Sequence, residues 1–240
     1  LLSKRPELYL PKEWPTYYKK AKGIVIKSLE NKSYKDFLSM GVGTNLLGYS
    51  NHKIDNKVLL AVKSGNMSTL NSYEDIQLAE KLIDMHKWSD MAKFARSGGE
   101  ANAIAIRIAR AATNKDKIAI CGYHGWHDWY LSTNLSSKKN LNNHLLSNLN
   151  PLGIPKALKN TTFVFQYNDI ASLENILKKH DIGTIKMEVT REIEPKKGFL
   201  KKIRKICDEK KIVLIFDECT SGFRETFGGI HQKYKVFPDM

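Results

Sequence analysis

Five consecutive apolar residues, Ile212-Val213-Leu214-Ile215-Phe216, stand between Lys210-Lys211 and Asp217-Glu218. A strand with one wet face alternates apolar and polar residues. An unbroken apolar run bounded by charges suits a strand covered on both faces, as inside a parallel sheet. Such a sheet needs crossover connections, usually helices, packed on its faces. The chain from about residue 72 onward has that rhythm. Ser72 with Asp75 three residues on makes an approximate capping box before Ile76, Leu78, Ala79, Leu82 and Ile83 at helical spacing. Met91 to Ala95 reads as a short strand, Ala101 to Ala112 as a helix, and Ile118-Ala119-Ile120 as a strand. Leu131 to Asn150, rich in Asn, Ser, Leu and Lys, reads as a long surface loop with one helical turn. Thr162 to Phe165 is a strand, Asn168 or Asp169 caps a helix through Ile176, Ile182 to Val189 is a strand, and Phe199 to Lys210 a helix. The expected class is α/β, with a mainly parallel sheet flanked by helices.

The first 60 residues have a different texture. Residues 1–22 are polar and punctuated by proline, as in an arm lying over another surface. Gly23 to Ile26 and Tyr34 to Leu38 flank a turn around Glu30-Asn31-Lys32 and predict a hairpin. A glycine-rich loop from Gly41 to Gly48 and helical spacing over Ile54 to Val62 follow. We therefore expect an N-terminal arm and small-domain segment over 1–60, and an incomplete large cofactor-binding domain over 61–240.

The 240 residues are 42% hydrophobic and 27% charged, ordinary for a globular protein, with a net charge of +14. Such a charge raises the question of a nucleic-acid or membrane-surface partner. The arginines are few and dispersed, lysines cluster beside acids as in Asp208-Glu209-Lys210-Lys211, and no basic stripe interleaves with aromatics. The charge reads instead as lysine-rich composition, so neither nucleic acid nor membrane is expected. Cys121, Cys207 and Cys219 are odd in number and scattered, which fits a reducing, cytoplasmic setting rather than a disulfide framework. No apolar run reaches the length of a membrane span, and the first twenty residues are too charged for a signal peptide. The chain starts at Leu1 rather than Met, as a cut beginning would.

In open α/β sheets, ligands gather beyond the carboxyl ends of the strands. Three segments fall there. Ser97-Gly98-Gly99-Glu100 puts two glycines at a helix start, where free N–H groups favour a phosphate; a plain tight turn is the other reading. Tyr123-His124-Gly125 follows a strand, so an aromatic there can stack on a planar ligand or simply line the core. Asp217-Glu218-Cys219 ends the most apolar strand. A carboxylate buried there needs a partner, either a cationic nitrogen of a ligand, a helix end, or Arg224. Cys121, His124 and His127 have a spacing that could gather a metal, but no fourth ligand fits, and no metal is expected. Gly41-Val42-Gly43 starts like a dinucleotide fingerprint, yet Leu46 stands where its third glycine belongs.

Taken together, these segments resemble one family. Phe94 to Asn102 with Arg107, Ala109 and Arg110 resembles the Phe, Ser-Gly, Glu-Ala-Asn and Arg-x-Ala-Arg pattern of class III aminotransferases. Tyr123-His124-Gly125 with Asp128 is similar to the family's Tyr-His-Gly-x-x-Asp. Asp217 to Arg224 is similar to its Asp-Glu-Val-x-Ser-Gly-Phe-Arg, and Tyr234 to Asp239 to its Tyr-x-Val-x-Pro-Asp. The likeness runs over about residues 20 to 240, and is nearest to the glutamate-1-semialdehyde aminomutase-like branch.

The resemblance implies a fold-type I enzyme dependent on pyridoxal 5′-phosphate. Ser97, Gly98 and Gly99 would then hold the cofactor phosphate, with Tyr123 stacked on the pyridine ring and His124 beside it. Asp217 would pair with the ring nitrogen as the catalytic acidic residue, Cys219 would press on the opposite face, and Glu188 would lie at the cofactor edge. Cys219 stands where relatives have valine, and Val189 where they have proline. The Schiff-base lysine of the family follows Pro-Asp by a few residues, so with the chain ending at Met240 no residue here takes that role. The implied reaction is amino-group transfer between a small-molecule amino donor and a keto or semialdehyde acceptor, by an aminotransferase or aminomutase acting as a homodimer, with loop 66–69 near the cofactor entrance. Ser39-Met40-Gly41 departs from the Ser-Trp-Gly of the aminomutase proper, leaving the substrate open. The alternative is a non-catalytic basic α/β fragment that binds phosphate ligands or nucleic acid.

Overall fold

The structure, a computed structural model, describes residues 14–37, 39–65, 68–144, 147, 149–190 and 192–240. It divides into two compact units, Leu1–Ser72 and Tyr73–Met240. Parts of the expected arm, the expected hairpin and loop 66–69 lie outside the described residues.

In the first unit, β1 (Tyr18–Lys22), β2 (Val25–Ser28) and β3 (Ser33–Lys35) form an antiparallel sheet in the order β1-β2-β3. The end of the expected arm is thus a strand. Gly23 is not part of β2. It turns the chain between Lys22 and Val25, which are paired, at a φ of 56° that a side chain disfavours. A single turn, α1 (Ser39–Val42), is broken by Met40 and Gly41 in left-handed conformations. Asn51 then caps α2 (His52–Lys63) by accepting from the Lys53 N–H.

The second unit opens with α3 (Tyr73–Met85). Met91 to Ala95, expected as a strand, belongs to no strand, and Met91 lies largely in solvent. Five residues with strand character still need a neighbouring edge to pair with. Next comes α4 (Gly98–Thr113), followed by β4 (Lys117–Cys121), α5 (Asp128–Leu131), β5 (Thr162–Val164), α6 (Ile170–Lys179), β6 (Ile182–Glu188), α7 (Phe199–Lys210), β7 (Val213–Asp217) and α8 (His231–Tyr234). The sheet order is β5-β4-β6-β7, parallel throughout. Every residue of β6 is buried, as a central strand covered on both faces requires. On one face Ile118, Ile120 and Ile215 pack with Ile106 and Ala109 of α4 and with Trp129 and Tyr130. On the other, Ile185, Met187 and Leu214 pack with Leu173 of α6 and Ile203 and Cys207 of α7.

The described part of 131–150 is surface only in part: residues 136–140, 143, 147 and 150 are exposed and Ser132–Leu135 is a helical turn, as expected, but the rest turns inward. Ser132, Thr133, Asn134, Leu141 and His144 are buried. Two of the segment's asparagines serve the backbone. Asn134 donates to the Leu149 carbonyl (2.7 Å) and accepts the Leu141 N–H (3.2 Å), while Asn140 donates to the Thr133 carbonyl (2.7 Å). Irregular chain can be buried when side chains satisfy it in this way. Among the described residues, no helix is long and apolar enough to cross a membrane.

Candidate functional site

The register of three parallel strands assembles the site. Cys121 pairs with Met187 and Glu188 with Asp217, so Gly122, Glu188 and Asp217 come level at the carboxyl end of the sheet. Asp217 is only 8% exposed. Its Oδ2 accepts from three donors: His124 Nδ1 (2.9 Å), Asn102 Nδ2 (2.9 Å) and Lys186 Nζ (3.2 Å). Its Oδ1 accepts the Cys219 N–H at 3.2 Å. Burial alone would raise the proton affinity of this carboxyl; the His124 hydrogen bond and the Lys186 charge outweigh it and hold Asp217 well below the usual carboxylate range. Opposite charges 3.2 Å apart attract by about 5 kcal/mol at an effective dielectric of about 20. Burying the two ions costs several kcal/mol each, and burial pushes the proton affinity of Lys186 down against the attraction of Asp217.

His124 is 1% exposed, and burial with the Lys186 charge behind it lowers its pKa to about 4. Its contact with Asp217 is therefore a hydrogen bond from a neutral ring rather than an ion pair. The proton sits on Nδ1, leaving Nε2 a buried acceptor without a hydrogen-bond donor among the described residues.

Glu188 is buried beside this cluster. Its Oε2 accepts the Tyr123 N–H (3.0 Å) and its Oε1 the Thr220 hydroxyl (3.3 Å). Gly122 precedes Tyr123 at a φ of 119°, and a Cβ there would lie 2.6 Å from Glu188 Oε2, so only glycine lets this turn form. A cavity of about 220 Å³ adjoins Glu188, lined also by Gly122, His144, Gln166, Tyr167 and Glu192. His144 accepts the Gly122 N–H through Nδ1 (3.0 Å), which places its own proton on Nε2.

Helix α4 points its start toward the same region. Ser97 caps it in a capping box: its hydroxyl accepts the Glu100 N–H (3.3 Å) and Glu100 accepts the Ser97 N–H (3.2 Å). Gly98 and Gly99 follow as its first residues, whose N–H groups have no acceptor within the helix. A Cβ on Gly99 would lie 2.7 Å from His127 Nε2, and one on Gly98 3.3 Å from Cys219 Sγ. The two glycines thus allow His127 and Cys219 to close on the helix start.

The family model for aminotransferase class-III matches residues 10–240. The chain belongs to this family. Curated class-III relatives include the 3-aminobutyryl-CoA aminotransferase of Cloacimonas acidaminovorans, 32% identical over 99% of this chain and 55% of the relative. The glutamate-1-semialdehyde 2,1-aminomutase of Campylobacter hominis is 36% identical over 94% of this chain and 50% of the relative. The chain spans about half the length of the curated relatives it matches. Among solved structures, an omega-transaminase from Sphaerobacter thermophilus superposes with a TM-score of 0.84 at 26% identity, over 99% of this chain and 56% of that one. The sheet and its flanking helices are those of this class of transaminases.

The class-III residues expected from the sequence gather as follows. Asp217, His124 and Cys219 form one hydrogen-bonded group, Tyr123 is tied through its backbone to Glu188, and Gly98 approaches Cys219. Asp217 takes Lys186 as a cation, a partner not among the three that the sequence offered. Glu218, the second acid of its motif, turns the other way and accepts from His231 Nδ1 (2.5 Å) and the Ile230 N–H (2.7 Å). No cluster of three metal-ligating side chains occurs among the described residues. Lys186 escaped sequence reading, and Asn102 was read only as the end of the Phe94 to Asn102 motif, without a role. The signal for Lys186 was present: it is a lone cation in the strand Ile182-Gly183-Thr184-Ile185-Lys186-Met187.

Proposed function

We propose that this chain forms the cofactor-holding part of a pyridoxal 5′-phosphate enzyme that moves an amino group between a small amino donor and a keto or semialdehyde acceptor. The observation that carries this reading is Asp217: an ionised carboxylate, buried at the end of β7, with only a backbone N–H on Oδ1 among the described residues. That is a site shaped for a cationic ring nitrogen. The other residues fit the same group. The N–H groups of Gly98 and Gly99, at the positive end of a sixteen-residue helix, suit its phosphate, with Ser97 beside them. Tyr123 and Cys219 would take opposite faces of the ring, His124 fixes Asp217 through its Nδ1 hydrogen bond, and Glu188 would border the edge.

When bound, the cofactor supplies an electron sink for charge developing beside the substrate nitrogen. Asp217 keeps the ring nitrogen protonated, which that sink requires. His124 holds Asp217 ionised and in one orientation. Glu188, anchored by the Tyr123 N–H and Thr220, sets one wall of the cavity of about 220 Å³, which is of a size for a small substrate. A homodimer completes this reading.

The deciding experiment is Asp217→Asn in the full-length parent protein. We expect turnover to fall by about 100-fold or more, as for removal of one electrostatic contact to developing charge, while the phosphate of the cofactor is still bound. Unchanged turnover removes Asp217 from this role.

A further inference from the structure

The proposed function makes no use of the most deeply buried cation of the sheet. Lys186 is 0% exposed, and its strand neighbours Ile185 and Met187 are equally buried. Its Nζ has two partners, Asn102 Oδ1 at 2.7 Å and Asp217 Oδ2 at 3.2 Å. Asn102 closes the triangle by donating through Nδ2 to the same Asp217 oxygen (2.9 Å) and to the His124 carbonyl (3.2 Å). A lysine costs more to bury than any aliphatic residue that could fill a central strand, and breaking such a pair leaves an uncompensated charge.

We propose that Lys186 is the resident counter-ion of Asp217, a positioning residue that turns Oδ2 into the sheet and neutralises the carboxylate before any ring cation arrives. The strand register supports this. Lys186 lies two residues before Glu188, and Glu188 is opposite Asp217, so the three side chains share a face of the sheet. Burial lowers the proton affinity of Lys186 overall, and Asp217, Glu188 and Cys219 oppose that in part. A consequence follows for ligand binding. Asp217 paired with Lys186 carries no net charge, so a ring cation at Oδ1 is held less strongly than by a lone carboxylate. Lys186 secures the shape of the site and weakens its grip. The ligand part of this inference rests on the proposed cofactor reading; the stability part stands without it.

The test uses the wild type, Lys186→Met, Asp217→Asn and the double variant. Without ligand at neutral pH, each single change should lower Tm by about 10 °C, from the cost of an unpaired buried charge. The double variant should recover at least half of the loss. A Lys186→Met protein as stable as the wild type, or a double variant that loses the sum of both, overturns the proposal. Should Lys186→Met fail to fold, the double variant decides: its folding supports the pair, and its failure overturns it. Binding of pyridoxamine 5′-phosphate is then measured on the wild type and Lys186→Met. Affinity on the order of tenfold tighter in the variant is expected, about one pK unit of ring-nitrogen protonation. Equal or weaker affinity overturns the counter-ion role. If neither protein binds it, the cofactor reading fails, and the thermal series alone judges Lys186.

Discussion

His124 donates to Asp217 from a ring that no water reaches, so a second proton on that ring has to be carried without solvation. Its folded pKa of about 4 lies below the 6.5 of an ordinary histidine. As the pH falls, the unfolded chain binds this proton first, and folding loses its advantage between about pH 6.5 and pH 4. The difference amounts to about 3 kcal/mol. Asp217, depressed in its turn, adds a further loss below the usual carboxylate range as it protonates. Denaturant unfolding at pH 7.5 and 4.5 should show the first loss in the wild type and a flatter profile in His124→Gln. Identical profiles would mean that other groups govern acid sensitivity. Single residues also mark where sequence reading stopped. Asp217, Tyr123, Gly98 and Gly99 belong to local motifs that a linear reading can find. Asn102 and Lys186 act through a partner on a different element, and nothing in their own neighbourhoods names that partner.

At the scale of elements, α4 depends on its first turn. The Ser97 capping box satisfies helix N–H groups that would otherwise lack acceptors. Ser97→Ala should cost about 1 kcal/mol and lower Tm by about 2–4 °C, whereas Ser97→Gly should cost only a few tenths. Equal losses for the two variants in thermal unfolding would show that the cap is not what Ser97 provides. Elements with a strong period were legible: β6, β7, α4, α6 and α7 lie within a few residues of their expected bounds, because burial on one or both faces writes itself into the order of apolar residues. Met91 to Ala95 failed because strand character is only half of a strand, the other half being an edge to pair with. Leu131 to Asn150 was legible only in part, because asparagine has two uses. On a surface it meets water; here Asn134 and Asn140 replace the pairing that irregular backbone lacks.

For the whole molecule, what remains uncovered is informative. Among the described residues α2 buries none of its side chains, although Ile54, Val58, Leu59, Leu60 and Val62 are apolar and each more than half exposed. In the other unit, α3 is equally unburied and shows Tyr73, Ile76 and Leu78. Apolar surface on this scale marks an interface, which supports the proposed homodimer. Light scattering should report twice the chain mass, and Leu59→Glu should shift the population toward the monomer. A monomer throughout the accessible concentration range would sink this proposal. The first unit ends after Ser72, a boundary that depends on contacts a linear reading cannot count.

The triangle of Asn102, Lys186 and Asp217 joins residues 84 and 115 positions apart in the chain. Contacts that distant close only after the entropy of long loops has been overcome, so they belong to the late stages of folding. Until then Lys186 keeps its charge in water, in the middle of an otherwise apolar segment. A charge in that place opposes the strand-to-strand association through which such segments aggregate. The residue that closes the finished site therefore also guards the unfinished chain.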